Sequence, residues 1–358
     1  MQRRTLLRAL AAGGGLPFTA GSMLPLAARA AAPASSSPWR DVLDTPAQKS
    51  ALAARGLLTG LARAGQRVVA VGQRGHVLFS DDAGKAWTQA EVPVSSDLVA
   101  VQFPTPEAGW VVGHDGVVLH SADAGKTWTR QLDGRGLGEI LVAHYTRVGD
   151  PKWVEEAKRF AAQGAENPFL DLWFDDANKG TIVGAFGLVL RTADGGKTWE
   201  PLLHATDNPK ALHLYAIKRV GSELFIAGEQ GTLLKFDGSR FAALTLPYKG
   251  TLFGLVGKDR TLLAHGLRGN VVRSTDGGLN WQSVPTGVGV GLTASTLDER
   301  GRFVIVSQAG HVLVSSDEGA SFSLAKVEHP IPAAAVVGAG AGALIVAGPR
   351  GVQSLPLA

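Results

Sequence analysis

Residues 121–128 read Ser-Ala-Asp-Ala-Gly-Lys-Thr-Trp, and this pattern returns at several places along the 358-residue chain. The shared form is Ser/Thr-x-Asp-x-Gly-x-x-Trp, an Asp-box. Further copies are 80–87, 192–199, a decayed copy at 236–241, 274–281, and a weaker copy at 315–322 that ends in Phe. Recurrence at a fixed period predicts a repeat architecture rather than an ordinary single core.

The residue types of the Asp-box point to a local folding role. An Asp carboxylate accepts N–H bonds from the turn that follows it, and a Ser or Thr hydroxyl does so more weakly. The terminal aromatic packs the outer strand of one unit against its neighbour. Because these aspartates are spread around the repeat, they cannot converge on one substrate. We therefore expect structural roles for Asp82, Asp123, Asp194, Asp276 and Asp317.

A second signature precedes each Asp-box: an apolar run that ends in Gly-x-x-Gly. Its copies are Gly72/Gly75, Gly113/Gly116, Gly184/Gly187, Gly228/Gly231, Gly266/Gly269, Ser307/Gly310 and Gly348/Gly351. These seven copies lie about 40 residues apart, with one gap of about 70.

Each unit divides into four short apolar runs bounded by Gly, Pro and Asp, which is typical of strands and turns. In the second unit these runs are Leu98 to Phe103, Trp110 to His114, Val117 to Ser121 and Trp128 to Gln131. Four-stranded units of this length are the blades of a propeller. The sequence predicts an all-β, seven-bladed β-propeller.

Closure of the ring needs a further segment. The last unit offers strands only near Ala333 to Val337, Ala343 to Ala347 and Val352 to Leu355, which leaves an open edge. The stretch that begins at Trp39 has no place in the first unit. We therefore expect this N-terminal stretch to supply the fourth strand of blade 7.

The oversized gap holds a helical insertion at 132–168, between blades 2 and 3. Asp150-Pro151 is a helix start, and the apolar residues from Trp153 recur at helical spacing. Glu155 and Arg159 are expected to pair, a short helix near 138–145 precedes, and Gly164 ends the second helix. The insertion either docks on the propeller or forms a lid that contacts a partner.

Blade geometry places this insertion on the face that carries the Gly-x-x-Gly turns, opposite the Asp-boxes. Loops gathered on one face of a rigid scaffold commonly carry function. The binding candidates on this face are Arg74, His114, Asp115, Asp171, Phe186, Glu229, Tyr248, Arg268, Arg350 and Trp153 of the insertion, with Gln230 and Gln308 beside them. Asp171 and Tyr248 are expected near its rim.

The N-terminal residues 1–30 resemble a twin-arginine export signal. Arg3-Arg4 precedes an interrupted apolar stretch, and Ala28-Arg29-Ala30 provides a cleavage site. An uncleaved membrane anchor is the alternative. The remaining residues, 31–358, form a single propeller domain that we expect in the periplasm as a monomer.

Export changes the meaning of the charge. The formal net charge of +4 belongs to the four arginines of 1–30, so the rest of the chain is neutral and nucleic acid is not an expected partner. Cysteine is absent and the nine histidines show no ligand spacing, so we expect neither a metal nor a cofactor.

The chain resembles the photosystem II stability/assembly factor family. The resemblance rests on the Asp-boxes 121–128 and 192–199, on Gly-Trp-Val-Val-Gly at 109–113 and on Asn-Pro-Phe-Leu-Asp at 167–171. It implies an exported seven-bladed propeller that binds a client protein during assembly of a membrane complex. The insertion carries only three arginines, Arg135, Arg147 and Arg159, fewer than the resemblance implies for photosynthetic members. The client of this protein is therefore either a photosystem subunit or a different protein.

The main alternative is an Asp-box glycoside hydrolase with a carboxylate site on the same face. Such enzymes need a pair of carboxylates, for which Asp115 and Asp171 are the candidates. Sialidases additionally need an Arg-Ile-Pro motif, which does not occur here. We therefore expect a binding factor rather than an enzyme.

Overall fold

Seven antiparallel sheets follow one another along the chain, as the repeats predict. The computed structural model describes residues 39–340 and 342–357, and the compact unit that holds the sheets begins at Arg40. The proposed export signal at 1–30 lies outside the described residues. The expectation of a seven-bladed propeller is confirmed by the seven sheets.

The first three blades have four strands each. Blade 1 holds β1 (Leu58–Ala64), β2 (Arg67–Gly72), β3 (Val77–Ser80) and β4 (Thr88–Gln89). Blade 2 holds β5 (Leu98–Gln102), β6 (Gly109–Gly113), β7 (Val118–Ser121) and β8 (Thr129–Leu132). Blade 3 holds β9 (Phe169–Phe174), β10 (Gly180–Gly184), β11 (Val189–Thr192) and β12 (Glu200–Pro201).

The next three blades repeat this plan, and in the last one the described residues supply three strands. Blade 4 holds β13 (Leu214–Val220), β14 (Glu223–Gly228), β15 (Leu233–Phe236) and β16 (Phe241–Ala243). Blade 5 holds β17 (Leu252–Lys258), β18 (Thr261–Gly266), β19 (Val271–Ser274) and β20 (Gln282–Val284). Blade 6 holds β21 (Leu292–Leu297), β22 (Phe303–Ser307), β23 (Val312–Ser315) and β24 (Ser323–Leu324). Blade 7 holds β25 (Ala335–Gly340), β26 (Ala343–Gly348) and β27 (Gly351–Pro356).

The Asp-box turns are held by the hydrogen bonds that their residue types predict. In blade 2, the Ser121 hydroxyl accepts the Gly125 N–H at 2.9 Å and donates to Asp123 at 2.8 Å. Oδ1 of Asp123 also accepts the N–H groups of Lys126 and Thr127 at 3.0 Å. Burial raises the pKa of Asp123, but these hydrogen bonds outweigh it and the pKa lies below its usual value. The turn therefore favours the ionised carboxylate.

Asp-box aromatic residues pack their own blade onto the blade before it. Trp128 of blade 2 is 4% exposed and lies in a core with Val69 of blade 1. Its ring meets that of Phe103 edge-on, with 5.9 Å between centroids. Trp87 of blade 1 packs in the same way against Ile345 of blade 7. Apolar contacts of this kind bury the faces that no single blade can bury alone.

The inner strands are also linked by hydrogen bonds from one blade to the next. The Thr59 hydroxyl donates to the Leu98 carbonyl at 2.7 Å, and the Thr293 hydroxyl donates to Ala333 at 2.6 Å. Between blades 7 and 1, Arg63 donates to the Gly338 carbonyl at 2.9 Å. Side chains thus replace the sheet hydrogen bonds that stop at each blade boundary.

The prediction that the stretch from Trp39 completes blade 7 is wrong. Residues Val42–Asp44 form a 3₁₀ turn instead of a strand. The Val42 carbonyl accepts the Ser95 N–H at 2.8 Å, and the Ala47 N–H donates to Val92 at 3.0 Å, so this segment lies against blades 1 and 2. Blade 7 packs beside β1 through β25 and β26. Within residues 39–340 and 342–357, the ring therefore closes by packing and single hydrogen bonds rather than by a shared strand.

The insertion forms the expected helical hairpin, with a longer first helix. The helices are α1 (Gly134–Val148) and α2 (Pro151–Gln163). Asp150 caps α2 by accepting the Lys152 N–H at 2.9 Å, and Gly164 ends it. The expected pairing of Glu155 with Arg159 is wrong, because Arg159 pairs with Glu156 at 2.7 Å. An i,i+3 partner was equally close on this helix.

Candidate functional site

The Gly-x-x-Gly turns share one unusual backbone feature. In five of them the second x residue is a non-glycine residue with φ between 53° and 57°. This left-handed conformation is costly for a residue with a side chain and persists where the surroundings enforce it. The residues are Arg74, Asp115, Phe186, Gln230 and Arg268. All except Asp115 are exposed, so these turns present side chains to solvent.

Helix α1 packs against the turn His114–Gly116, so the insertion and the Gly-x-x-Gly turns share a face. On this face, two of the predicted binding residues meet in a cleft of about 340 Å³. Trp153 and Phe186 line it together with Phe160 of α2 and with the connector from Leu203 to Ala211 that joins blades 3 and 4. We call this the face cleft. Phe186 is 40% exposed, so the cleft presents apolar surface to solvent.

Phe186 is positioned by a residue of the next blade. Its N–H donates to His213 Nδ1 at 2.9 Å, and the two rings meet edge-on with 4.8 Å between centroids. The His213 N–H in turn donates to the Glu229 carboxylate at 2.9 Å. Phe186 and Glu229, two predicted binding residues, are thus joined across the boundary between blades 3 and 4.

Trp153 is positioned from within the insertion. Its ring stacks on that of Tyr145, with 5.5 Å between centroids. Burial raises the pKa of Tyr145 to about 12, so its hydroxyl stays protonated and lies 3.3 Å from His204 Nδ1. Tyr145 therefore ties α1 and α2 to the connector that forms the other wall of the cleft.

The remaining face candidates lie on other blades. Arg74 follows β2 and its N–H donates to Asp97 at 2.7 Å, while His114 and Asp115 follow β6. The Tyr248 hydroxyl donates to the Leu267 carbonyl at 3.2 Å, which places it beside Arg268. Arg350 lies at the turn between β26 and β27 and is exposed. The face cleft brings together Trp153 and Phe186 and not these residues.

Asp171 lies deeper than its expected place at the rim. It is in β9, the inner strand of blade 3, and lines the central channel of about 320 Å³ with Tyr215 and Lys218. Its carboxylate accepts the Ile217 N–H of blade 4 at 2.8 Å and the Leu172 N–H at 2.9 Å. Burial raises the pKa of Asp171 to about 6. Asp115 lies outside this channel, in the turn after β6, so the two aspartates occupy different surroundings.

The sequence did not indicate the connector Leu203 to Ala211, which lines the cleft, or His213, which holds Phe186. One signal was available: Gly184 and Gly228 are a few residues further apart than the other regular turn pairs. That extra length belongs to the connector. The contact of His213 with Phe186 had no local signal, since 27 residues separate them.

Within residues 39–340 and 342–357, no three His, Asp or Glu side chains converge in a way that could hold a metal ion. In that same part of the chain, neither helix has the length and apolar character needed to cross a membrane.

Comparison with solved structures supports the fold. The chain resembles the structure titled "YCF48 bound to D1 peptide", at 16% identity and a TM-score of 0.61 over 85% of this chain and 94% of that one. The structure of YCF48 from Cyanidioschyzon merolae gives 16% identity and a TM-score of 0.63, over 85% and 96%. The WD40 propeller of Doa1 is similar as well, at 12% identity and a TM-score of 0.62 over 87% and 95%. At these identities the likeness shows the propeller fold alone.

Sequence comparison identifies the family. Two relatives are named Photosystem II assembly lipoprotein Ycf48. The one from Synechococcus sp. (strain CC9902) is 29% identical over 43% of this chain and 47% of its own length. The one from Prochlorococcus marinus is 32% identical over 43% and 46%. The chain thus spans about half the length of these curated relatives. The family model described as Photosynthesis system II assembly factor YCF48 matches residues 35–141 and 154–329, which is most of the chain, and the chain belongs to this family.

Proposed function

We propose that this chain is an exported, non-catalytic factor that binds a client subunit of a membrane or periplasmic protein complex through the face cleft. The observation that carries the proposal is that Trp153 and Phe186 line one cleft, built from the insertion, a Gly-x-x-Gly turn and the connector between blades 3 and 4. Large aromatic side chains that are partly exposed in a preformed cleft are typical anchors for a protein partner.

Three features support this function. The walls of the cleft are preorganised, because His213 holds Phe186 and Tyr145 holds Trp153. Its rim is polar, with Lys152, Glu156 and Arg159 on the α2 side. A propeller of similar fold is titled as bound to a D1 peptide, which agrees with a peptide segment as the occupant. A rigid apolar floor with a polar rim lowers the entropy cost of binding such a segment.

The non-catalytic part of the proposal rests on the surroundings of Asp171. Both of its oxygens accept backbone N–H groups, which is the arrangement of a carboxylate that joins two blades. Retaining and inverting glycosidases instead need two carboxyl groups that flank one bond. Turnover of a glycoside panel that disappears in Asp171→Asn would overturn this part.

Affinity capture from detergent-solubilised membranes tests the client-binding part. We expect the tagged wild type to enrich a specific membrane-complex subunit and Phe186→Ala to lose most of it, by about tenfold, because the anchor side chain is removed. Leu279→Ala is the matched control: Leu279 is 71% exposed and lies in an Asp-box turn on the opposite face. Equal capture by wild type, Phe186→Ala and Leu279→Ala contradicts the use of the face cleft.

Export is tested separately. The substitution of Arg3 and Arg4 by Lys is expected to retain the precursor in the cytoplasm, since a twin-arginine signal depends on both arginines. Fractionation of cells that express wild type and the double variant measures this. Normal periplasmic accumulation of the variant would rule out the twin-arginine route.

A further inference from the structure

In three blades, a regular contact joins the Asp-box to the second strand of the preceding blade. A Cβ atom on Gly319 of blade 6 would lie 2.6 Å from Leu263 of blade 5, and one on Gly278 of blade 5 would lie 2.7 Å from Phe225 of blade 4. A Cβ atom on Gly84 of blade 1 would likewise lie 2.9 Å from the side chain of Ile345 of blade 7. The Asp-box hairpin therefore fills the space between neighbouring blades.

This contact is missing between blades 3 and 4. The decayed Asp-box of blade 4 is shortened, and a Cβ atom on Gly238 would have no neighbour within 4 Å. On blade 3, Thr181 holds the register position that Val69, Trp110 and Leu263 hold in other blades. A shorter hairpin and a smaller side chain together leave a groove of about 840 Å³, which we call the seam groove.

The floor of the seam groove is apolar. It includes Trp199 and Leu202 of blade 3, Leu224, Phe236 and Phe241 of blade 4, and Ile140 of α1. These side chains come from three parts of the fold, so the groove exists only in the folded ring. A groove of this size with an apolar floor is suited to burying an apolar side chain of a bound partner rather than to holding water.

The rim of the groove has an excess of positive charge. Four cations and two carboxylates line it. Arg191 pairs with Glu200 at 2.7 Å, and Arg219 pairs with Asp175 at 2.5 Å. Across the described residues, the other two cations, Arg147 and Lys179, have no carboxylate partner within 4 Å. Arg147 lies 3.4 Å from Nδ1 of His144, and Lys179 is close enough to lower the pKa of Asp176. Two cations without an ion pair above an apolar floor favour an anionic occupant.

Two polar atoms of the lining residues are buried without a hydrogen-bond partner: Nε1 of Trp199 and Nε2 of His144. In the other Asp-boxes the tryptophan N–H donates to the glycine carbonyl, as Trp128 does to Gly125 at 3.0 Å. Trp199 is 8% exposed, so its unpaired N–H is a buried donor. The indole N–H can only donate, so an occupant that carries an acceptor would complete it.

We propose that the seam groove binds an acidic peptide segment that places one apolar side chain on the floor and carboxylates near Arg147 and near Lys179. The proposal rests on the proposed client-binding function, and it names a second contact and the chemistry of the client. Asp175, Lys179 and Thr198 lie at turns on the Asp-box side, so this contact is distinct from the face cleft.

A fluorescein-labelled octapeptide of alternating Glu and Leu provides the first test, measured by fluorescence anisotropy with the full chain. We expect saturable binding that weakens with added salt, and no comparable binding of the Lys and Leu counterpart. The double variant Arg147→Glu with Lys179→Glu is expected to lower the affinity by about tenfold, because both ion pairs with the peptide are lost. Lys85→Glu, in the Asp-box turn of blade 1, is the matched control and should stay within about twofold.

Thr181→Leu keeps the test independent of charge. The larger side chain fills the groove, so peptide affinity should fall while circular dichroism and thermal unfolding stay close to those of the wild type. Equal binding of the acidic and basic peptides, or equal affinity of the double variant and Lys85→Glu, overturns the seam groove as an acidic-peptide site.

Client capture separates the two proposals. If the seam groove contributes, the double variant captures less client than Lys85→Glu does. Wild-type capture by the double variant, with loss in Phe186→Ala, overturns the seam groove and leaves the face cleft standing. Peptide binding lost in the double variant, with client capture unaffected by Phe186→Ala, overturns the face cleft instead.

Discussion

The carbonyl oxygen of Ala54 occupies the space into which a side chain on Gly351 would project. Ala54 belongs to the segment before β1, and Gly351 opens the last strand of blade 7, so this contact joins the two ends of the ring. In the other blades the equivalent glycine faces the connector to the next blade, as Gly231 faces Tyr248 and Lys249. The N-terminal segment therefore serves as the missing connector of blade 7, not as its missing strand.

Gly351→Ala is expected to destabilise the ring by about 3 kcal/mol. The residue has φ of 83°, which costs about 1–2 kcal/mol for alanine, and the clash with Ala54 adds a similar amount. Gly287→Ala is the control, because Gly287 has φ of 72° but open space around its Cα. Urea unfolding of both variants measures the difference. Equal losses in the two variants would show that the contact with Ala54 carries no strain.

Ser121→Ala tests the Asp-box. The substitution leaves the buried N–H of Gly125 without its acceptor and removes a donor to Asp123, so we expect a loss of about 1–3 kcal/mol in the free energy of unfolding. Ser239→Ala in the decayed box of blade 4 is the control. Ser239 is exposed and should change stability by less than about 0.5 kcal/mol. A neutral Ser121→Ala would refute the structural role of the hydroxyl.

Asp171 predicts an unusual pH dependence. Its pKa is raised by burial to about 6, above the unfolded value of about 3.9, so the folded protein binds this proton more tightly. The stability that it contributes is fully present below about pH 4 and is lost as the pH rises through 6. Relative to Asp171→Asn, the free energy of unfolding of the wild type should therefore fall by about 1–2 kcal/mol between pH 4 and pH 7.

Denaturant unfolding of the two proteins at several pH values measures this difference. Asp194→Asn is the informative comparison, because hydrogen bonds from Thr198 lower the pKa of Asp194 to about 2. Its contribution to stability is present above about pH 4 and is lost as the pH falls towards 2. If the difference in free energy of unfolding between the wild type and Asp171→Asn stays constant from pH 4 to 7, burial does not raise the pKa of Asp171 in the folded protein.

Arg135→Ala should release the N-terminal segment without unfolding the propeller. Arg135 at the start of α1 donates to both oxygens of Asp44, at 2.9 and 3.1 Å, and thereby ties residues 42–44 to the insertion. We expect faster hydrogen exchange in residues 40–50 and a global unfolding transition near that of the wild type, because exposed ion pairs contribute little to stability. Arg159→Ala, which breaks an ion pair within α2, should leave exchange in residues 40–50 unchanged.

The amino-acid sequence by itself determined the repeat, the number of blades, the strands and the two helices. These features depend on local chemistry: alternating apolar runs, glycine in tight turns, aspartate in the Asp-box and the Asp150 cap. The same local sequence patterns indicated Trp153 and Phe186 as candidates on one face. It also revealed the decayed Asp-box at 236–241, although not what its loss leaves behind.

Only the tertiary structure decided where the N-terminal segment lies, how deep Asp171 is placed and which blade boundary is left open. The first two depend on contacts between residues far apart in the chain, Val42 with Ser95 and Asp171 with Ile217. The third depends on Thr181 of blade 3 and Phe241 of blade 4 lining the same groove. An open strand edge can be completed, packed or left free, and local patterns do not distinguish these outcomes. The physical reason is that a closed ring sets its inter-blade spacing collectively, through packing that no single repeat contains.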